Sequence, residues 1–309
     1  MIPQEFKDKI IETLHLLGVS STTIQLEPLH GGCINHAARL TAGNHTFFIK
    51  WNESPPPGMF QKEAMGLALI KQTKTIRVPE VLGYFEGEGI QQSLPAFILM
   101  EFIPSGKRLS SYTFQNLGEQ LAQMHLHTLS PGGKFGLEED NYLGTSPQTN
   151  RWHEDWGNFF IEQRIKPQME LAFRNGKLPP ARRSLLEKLI VRIPEILGNQ
   201  SHQPVLLHGD LWIGNVLNDP DDRPVLIDPA VFYGDREAEI AYTQLFGGFQ
   251  PEFYLAYQQV FPLEPGFEIR KDLYNLYHLL NHLNLFGEPY GMQADTIARY
   301  FVGQKRSTT

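Results

Sequence analysis

Apolar residues at Phe6, Ile10, Leu14 and Leu17 recur at helical spacing, so the chain opens with an amphipathic helix that Gly18 ends. Segments rich in strand formers follow at 24–29, 34–40 and 46–51, separated by Gly31-Gly32 and Gly43-Asn44. The cluster "NESPPPG" at 52–58 breaks the pattern. A second helix is predicted over 60–73, and further strands over 81–85 and 96–102. Five strands interrupted by one helix make a small lobe, and Pro104-Ser105-Gly106 marks its end, dividing the chain into 1–103 and 104–309. Beyond that point helical patterns cover about 111–128, 154–174, 181–197, 235–246, 267–286 and 292–301. The stretch 129–150 reads as a long loop. The architecture is α+β, a small five-stranded N-lobe before a mainly helical C-lobe.

Composition adds boundaries to this picture. The 309 residues suit two lobes, and 41% hydrophobic with 20% charged residues describes an ordinary globular protein. A formal net charge of -7 argues against a partner bound through phosphate neutralisation, so no nucleic acid is expected. No run approaches the roughly 18 apolar residues of a spanning helix, and the first residues lack a signal peptide's apolar core. A cytoplasmic location and no membrane are the expectation. The single cysteine, Cys33, excludes an internal disulfide and a cysteine-rich metal site.

Chemistry concentrates in "LLHGDLWIGNVL" at 206–217, where apolar runs flank His208, Asp210 and Asn215. An aspartate on such a loop can accept a proton from a substrate hydroxyl, and an asparagine amide oxygen can coordinate magnesium. "VLIDPA" supplies a second oxygen ligand at Asp228, 13 residues after Asn215. Phosphoryl transfer needs such a set, with a base to orient the nucleophile and oxygens to hold the metal on the phosphates of ATP. Taken singly, His208 and Asp210 read as a loop pair, Asn215 as a turn residue and Asp228 as a cap. Taken together, they resemble the catalytic and metal loops of the protein-kinase-like superfamily.

The small lobe then takes the nucleotide. In "HTFFIKWN" alternation puts Thr46, Phe48 and Lys50 on one face, so Lys50 reaches toward phosphates, and Glu63 on the next helix shares a stripe with Leu67 and Ile70. A carboxylate on an apolar stripe wants a cation, and Lys50 is the candidate. Gly31 and Gly32 in "LHGGCINHA" make either a phosphate loop or a plain hairpin turn. "FILMEFIPSG" reads as an adenine hinge over Glu101, Phe102 and Ile103, or as an edge strand.

The runs "LLHGDLWIGNVL", "LIDPAVFYGDREAEIAYTQLFGGF", "GGCI" and "RWHEDWGNFF" resemble the fructosamine kinase family, the ketosamine 3-kinases, in the aminoglycoside phosphotransferase and choline kinase branch of the kinase fold. The likeness spans about 29–286. It implies an ATP- and magnesium-dependent transfer of phosphate to the 3-hydroxyl of a ketosamine, a fructosamine or ribulosamine adduct of a free or protein-bound amine. In that family the phosphorylated adduct sheds its sugar, which makes the enzyme a deglycation repair activity. Asp210 would be the base, Asn215 and Asp228 the magnesium ligands, Lys50 the phosphate contact and Glu63 its partner. His30 departs from the glycine expected in the phosphate loop.

Acceptor-side assignments follow from residue chemistry. Trp212 offers a ring for a sugar face or fills the core. The acidic run Asp235, Glu237 and Glu239 either attracts a ketoamine ammonium or forms a solvated first helical turn. His282 is placed on a helix whose polar side lines the same pocket. Cys33 is either a small loop residue or a redox switch that makes the protein a monomer or a redox-dependent dimer. Two other readings remain: a phosphotransferase acting on an aminoglycoside, choline or another hydroxyl acceptor, and a non-catalytic nucleotide-binding protein.

Overall fold

The computed structural model describes residues 3–29, 34–87, 94–104, 108–198 and 202–304. Helix α1 (Gln4–Leu16) buries Phe6, Ile10 and Leu14, the predicted stripe, against one face of a five-stranded antiparallel sheet. That sheet comprises β1 (Gln25–Pro28), β2 (His36–Ala42), β3 (His45–Asn52), β4 (Val81–Phe85) and β5 (Ala96–Glu101), in the spatial order β1-β2-β3-β5-β4. Alternation sorts β3: Phe47, Ile49 and Trp51 join the α1 core, while Phe48 and Lys50 face the other way. Helix α2 (Met59–Thr73) covers that second face with Phe60, Ala64, Leu67 and Ile70. The core it shares with Ile98 and Met100 runs on without a break into the helical part.

The helical part begins with α3 (Ser111–His127), capped by the Ser110 side chain accepting from the Thr113 N–H. It continues through β6 (Asn141–Leu143), β7 (Ser146–Gln148), α4 (Trp156–Phe159), α5 (Lys166–Arg174), α6 (Pro180–Leu197), β8 (Val205–Leu207), β9 (Val216–Asn218), β10 (Pro224–Leu226), β11 (Phe232–Gly234), α7 (Arg236–Leu245), α8 (Pro251–Val260), α9 (Phe267–Phe286) and α10 (Glu288–Gly303). Three features differ from the sequence expectation. The stretch read as a long loop contains the β6–β7 hairpin, turned at Gly144 with φ +62°. Helix α8 was hidden because Gly247, Gly248 and Pro251 look like breakers, yet a proline at the first helical position lacks only an N–H the helix does not use. The helix expected over 154–174 is interrupted by a π-helical turn at Phe160–Ile165.

Among the described residues no helix is long and apolar enough to cross a membrane. Two short antiparallel pairs carry the "LLHGDLWIGNVL" stretch: β8 with β11, and β9 with β10. The loop after β8 is held from below by α7. Glu239, 3% exposed, accepts from the Gly209 N–H at 2.8 Å, the His208 N–H at 3.2 Å and His125 Nε2 at 3.0 Å. Three donors share two carboxylate oxygens, an arrangement that favours the ionised form. Gly209 has φ +81°, and a Cβ there would lie 2.0 Å from the Ala230 carbonyl oxygen, so only glycine fits this pinned turn.

Burial alone would raise the Glu239 carboxyl, but His125, His208 and the Gly209 amide outweigh it and hold the group below the ordinary glutamate value. Its stabilisation is therefore complete above that ordinary value and is lost as pH falls through the lower native one. Replacing Glu239 with Gln leaves donors facing an amide. Urea unfolding should show Glu239→Gln losing about 3 kcal/mol at neutral pH, with a smaller further loss on acidification than the parent; equal acid sensitivity of the two proteins would contradict the assignment.

Candidate active site

The loop that Glu239 holds presents Asp210 to the cleft between sheet and helices. His208 ties two loops together: its Nε2–H donates to the Ile227 carbonyl at 2.9 Å, and its Nδ1 accepts from the Asp210 N–H at 3.3 Å. Burial pushes the His208 imidazole down, consistent with this neutral tautomer. The Ala230 N–H donates to the His208 carbonyl at 2.9 Å and the Ile227 N–H to the Asn215 carbonyl at 3.1 Å. Asp210 and Asp228 thus sit on two turns laced to each other by the backbone.

Both oxygens of Asp210 are oriented. Tyr242 donates its hydroxyl to Oδ1 at 3.1 Å, and Asn215 Nδ2 donates to Oδ2 at 3.1 Å and to the Asp210 carbonyl at 2.8 Å. Desolvation in this recess pushes the Asp210 carboxyl up to about 7, opposed by the Tyr242 and Asn215 hydrogen bonds and assisted by the negative charge of Asp228. A carboxylate poised near neutrality is suited to taking a proton from an alcohol as it attacks.

On the facing side Lys50 bridges two carboxylates, with Nζ 2.6 Å from Glu63 Oε1 and 2.8 Å from Asp228 Oδ1. Lys50 and Glu63 are buried, whereas the Asp228 side chain is 42% exposed. Burial alone would draw the Lys50 ammonium down, but Asp228 and Glu63 outweigh it and keep the group firmly charged. Asp228 has φ +56°, a left-handed conformation that costs a non-glycine residue about 1 kcal/mol, and it turns the carboxylate toward the cleft. The donor set fits magnesium. The Asn215 amide nitrogen is committed to Asp210, which leaves its amide oxygen for a metal, and Asp228 supplies a carboxylate with one oxygen outside the Lys50 contact. One or two protein oxygens are what this cation takes when phosphates and waters complete its shell.

The other expected site residues fall into three groups. At the end of β5, where the hinge is expected, Glu101 is held by an ion pair with Arg77, which also binds Asp219 and so fastens the sheet to the helical part. Phe102 lies under the Arg39 guanidinium at 5.3 Å, Ile103 is buried, and its N–H makes no backbone hydrogen bond among the described residues. Trp212, 40% exposed, flanks Asp210 with its ring over Gly214, where a Cβ would meet the indole at 2.3 Å. His282 lies partly exposed on α9 and donates through Nδ1–H to the His278 carbonyl at 2.8 Å. Gly31, Gly32 and Cys33, with the phosphate-loop and redox-switch readings placed on them, lie outside the described residues.

Asp235 is a correction. It is 5% exposed, its Oδ1 caps α7 by accepting the Glu237 N–H at 2.8 Å, and its Oδ2 pairs with His202. Glu237 forms a two-pronged pair with Arg270, both contacts 2.8 Å. With Glu239 also engaged, none of the three acids is free to meet an ammonium. Sequence reasoning also missed Tyr242 and His278, whose rings stack at 3.5 Å with 9° between planes. Burial raises the Tyr242 phenol well above its ordinary range, so it remains a donor to Asp210. For Tyr242 alone a signal was present as spacing: Glu239 and Tyr242, at i and i+3, share one face of α7.

The comparisons with known proteins agree with this geometry. A family model described as fructosamine kinase matches residues 6–303. A protein of Synechocystis sp. assigned as a ketoamine kinase is 39% identical over 271 residues, 87% of each chain. The chloroplastic protein-ribulosamine 3-kinase of Arabidopsis thaliana is 39% identical over 294 residues, 94% of this chain and 86% of that one. The crystal structure of a Haemophilus somnus protein assigned as a fructosamine-3-kinase superposes with a TM-score of 0.82 at 31% identity, covering 94% of this chain and 96% of its own. Solved aminoglycoside phosphotransferases share the fold alone. With a protein-kinase-like α+β architecture and this extent of likeness, the chain belongs to the fructosamine kinase family.

Proposed function

We propose that this enzyme transfers the terminal phosphate of ATP to the 3-hydroxyl of ketosamines, fructosamine or ribulosamine adducts of amines. One observation carries the reading: the Asp210 carboxylate is oriented at both oxygens beside the Asn215 and Asp228 oxygens, the arrangement phosphoryl transfer to an alcohol needs. The names of the relatives support a ketoamine as acceptor and, in the plant enzyme, the 3-position. We divide the chain at the hinge, with 1–103 binding the nucleotide and 104–309 carrying the base and the acceptor. A cytoplasmic protein is in keeping with its single cysteine, and the net charge of -7 favours a small or protein-bound ketoamine over nucleic acid as partner.

In this mechanism Lys50, fixed by Glu63, holds nucleotide phosphate, and the backbone of Glu101 to Ile103 meets adenine. Asn215 and Asp228 would hold magnesium, which would supply positive charge against that developing on the phosphates. Asp210 accepts the proton of the 3-hydroxyl as that oxygen bonds to the terminal phosphorus. The bond from that phosphorus to the bridging oxygen breaks, and ADP leaves with its electron pair. Tyr242 and Asn215 keep the Asp210 carboxylate aimed during the transfer. Loss of the sugar from the 3-phosphate afterwards regenerates the amine.

Two measurements test the reading. Coupled ATP-consumption assays should show turnover with fructose-lysine or ribulose-lysine and none with an aminoglycoside or choline; turnover confined to the last two would remove the ketoamine assignment and leave the kinase. Asp210→Asn should lower kcat about 100-fold or more while sparing ATP binding. Tyr242→Phe, which keeps the stack on His278, should lower kcat about 10-fold through loss of one hydrogen bond to a charged group. Full activity in both variants would exclude Asp210 as the base.

A further inference from the structure

A cluster of aromatic rings lies beyond Tyr242, whose hydroxyl meets Asp210. Phe246 at the end of α7, His282 and Phe286 on the last turns of α9, and Tyr290 on the first turn of α10 surround one another. The His282 ring centre lies 4.8 Å from Phe246, 5.0 Å from Tyr290 and 5.3 Å from Phe286. Phe246 is 40% and Phe286 48% exposed, so the rings form an open wall rather than a core. His282 does not add a charge to it: burial lowers its pKa, and its Nδ1–H is spent on the His278 carbonyl.

The wall is continuous with the reaction centre. Tyr242, which donates to Asp210, has its ring 6.0 Å from Phe246. At the other end, a Cβ on Gly144 would lie 2.8 Å from Ile34 and 3.5 Å from Leu285, so the end of α9 reaches the residues that follow the Gly31-Gly32 segment. Just after Phe246, a Cβ on Gly248 would lie 2.7 Å from Ile213, the neighbour in sequence of the half-exposed Trp212. A row of aromatic rings therefore runs from Tyr242, beside Asp210, through Phe246 and His282 to the exposed Phe286.

We infer that Phe246, His282, Phe286 and Tyr290 form the subsite for the amine substituent of the ketoamine, taking an unbranched alkyl chain and its secondary ammonium of the kind a lysine side chain supplies. This rests on the ketosamine reading above. With the 3-hydroxyl at Asp210, the amine nitrogen is two carbons farther along the sugar, and whatever it carries must continue outward. Methylenes lie well against ring faces, and a cation gains from their electron-rich centres without a carboxylate. The nearby acids of α7 are all consumed in buried pairs, which leaves ring faces as the means of holding the cation. The open end lets the lysine belong to a peptide.

Steady-state kinetics with two fructose adducts test the subsite, one of methylamine and one of Nα-acetyl-lysine amide. Phe286→Ala and Phe246→Ala should each raise KM for the lysine adduct about 10-fold, with kcat for it and both constants for the methylamine adduct within about 2-fold of the parent. Phe286→Tyr should restore the lysine KM. Equal effects on the two adducts, or none on either, would overturn the subsite while the kinase reading stands. No turnover of either adduct by the parent protein would overturn the ketosamine reading and the subsite with it. Thermal melting of each variant identifies one that fails to fold, and Phe286→Leu then replaces it, with the same KM rise expected in smaller measure.

Discussion

The site depends on one buried ammonium. Lys50 projects from the centre of the sheet into a place where Glu63 of α2 and Asp228 of the helical part both reach it, at 2.6 and 2.8 Å. A desolvated cation costs several kcal/mol unless it is paired, so the sheet, α2 and the Asp228 turn must come together or leave it stranded. The cleft is the consequence of that meeting. Its two pairs differ in a useful way: Glu63 is enclosed, whereas Asp228 is open enough to exchange its partner.

The second requirement is an aimed carboxylate, and the chain meets it with remote groups. Glu239 fixes the backbone before Asp210, Tyr242 and Asn215 fix its oxygens, and His208 joins its turn to that of Asp228. Acids that look available along α7 are spent in this framework. What remains beyond Tyr242 is aromatic surface, the kind of environment suited to a sugar and an alkylammonium by faces and edges.

Legibility in the sequence followed the range of the interactions. Asp210, Asn215 and Asp228 stand within 19 residues between short apolar runs, and Lys50 and Glu63 were readable from strand alternation and a helical stripe, because local periodicity alone decides which way those side chains point. Asp235 misled because its partner His202 lies 33 residues away, and Glu239 because His125 lies 114 away. The Tyr242–His278 stack joins α7 to α9, a contact that no pattern within either helix reveals. Helix α8 was concealed by residues that usually end helices, and packing against α3 supplies what its sequence signal lacked.

The most direct measurement is a crystal structure with magnesium and AMP-PNP. The account predicts that Lys50 keeps its contact with Glu63 and exchanges Asp228 for a nucleotide phosphate, while the Asp228 carboxylate and the Asn215 amide oxygen turn to the metal with Asp210 facing the terminal phosphorus. A nucleotide bound with the Lys50–Asp228 pair intact and the metal held elsewhere would contradict it.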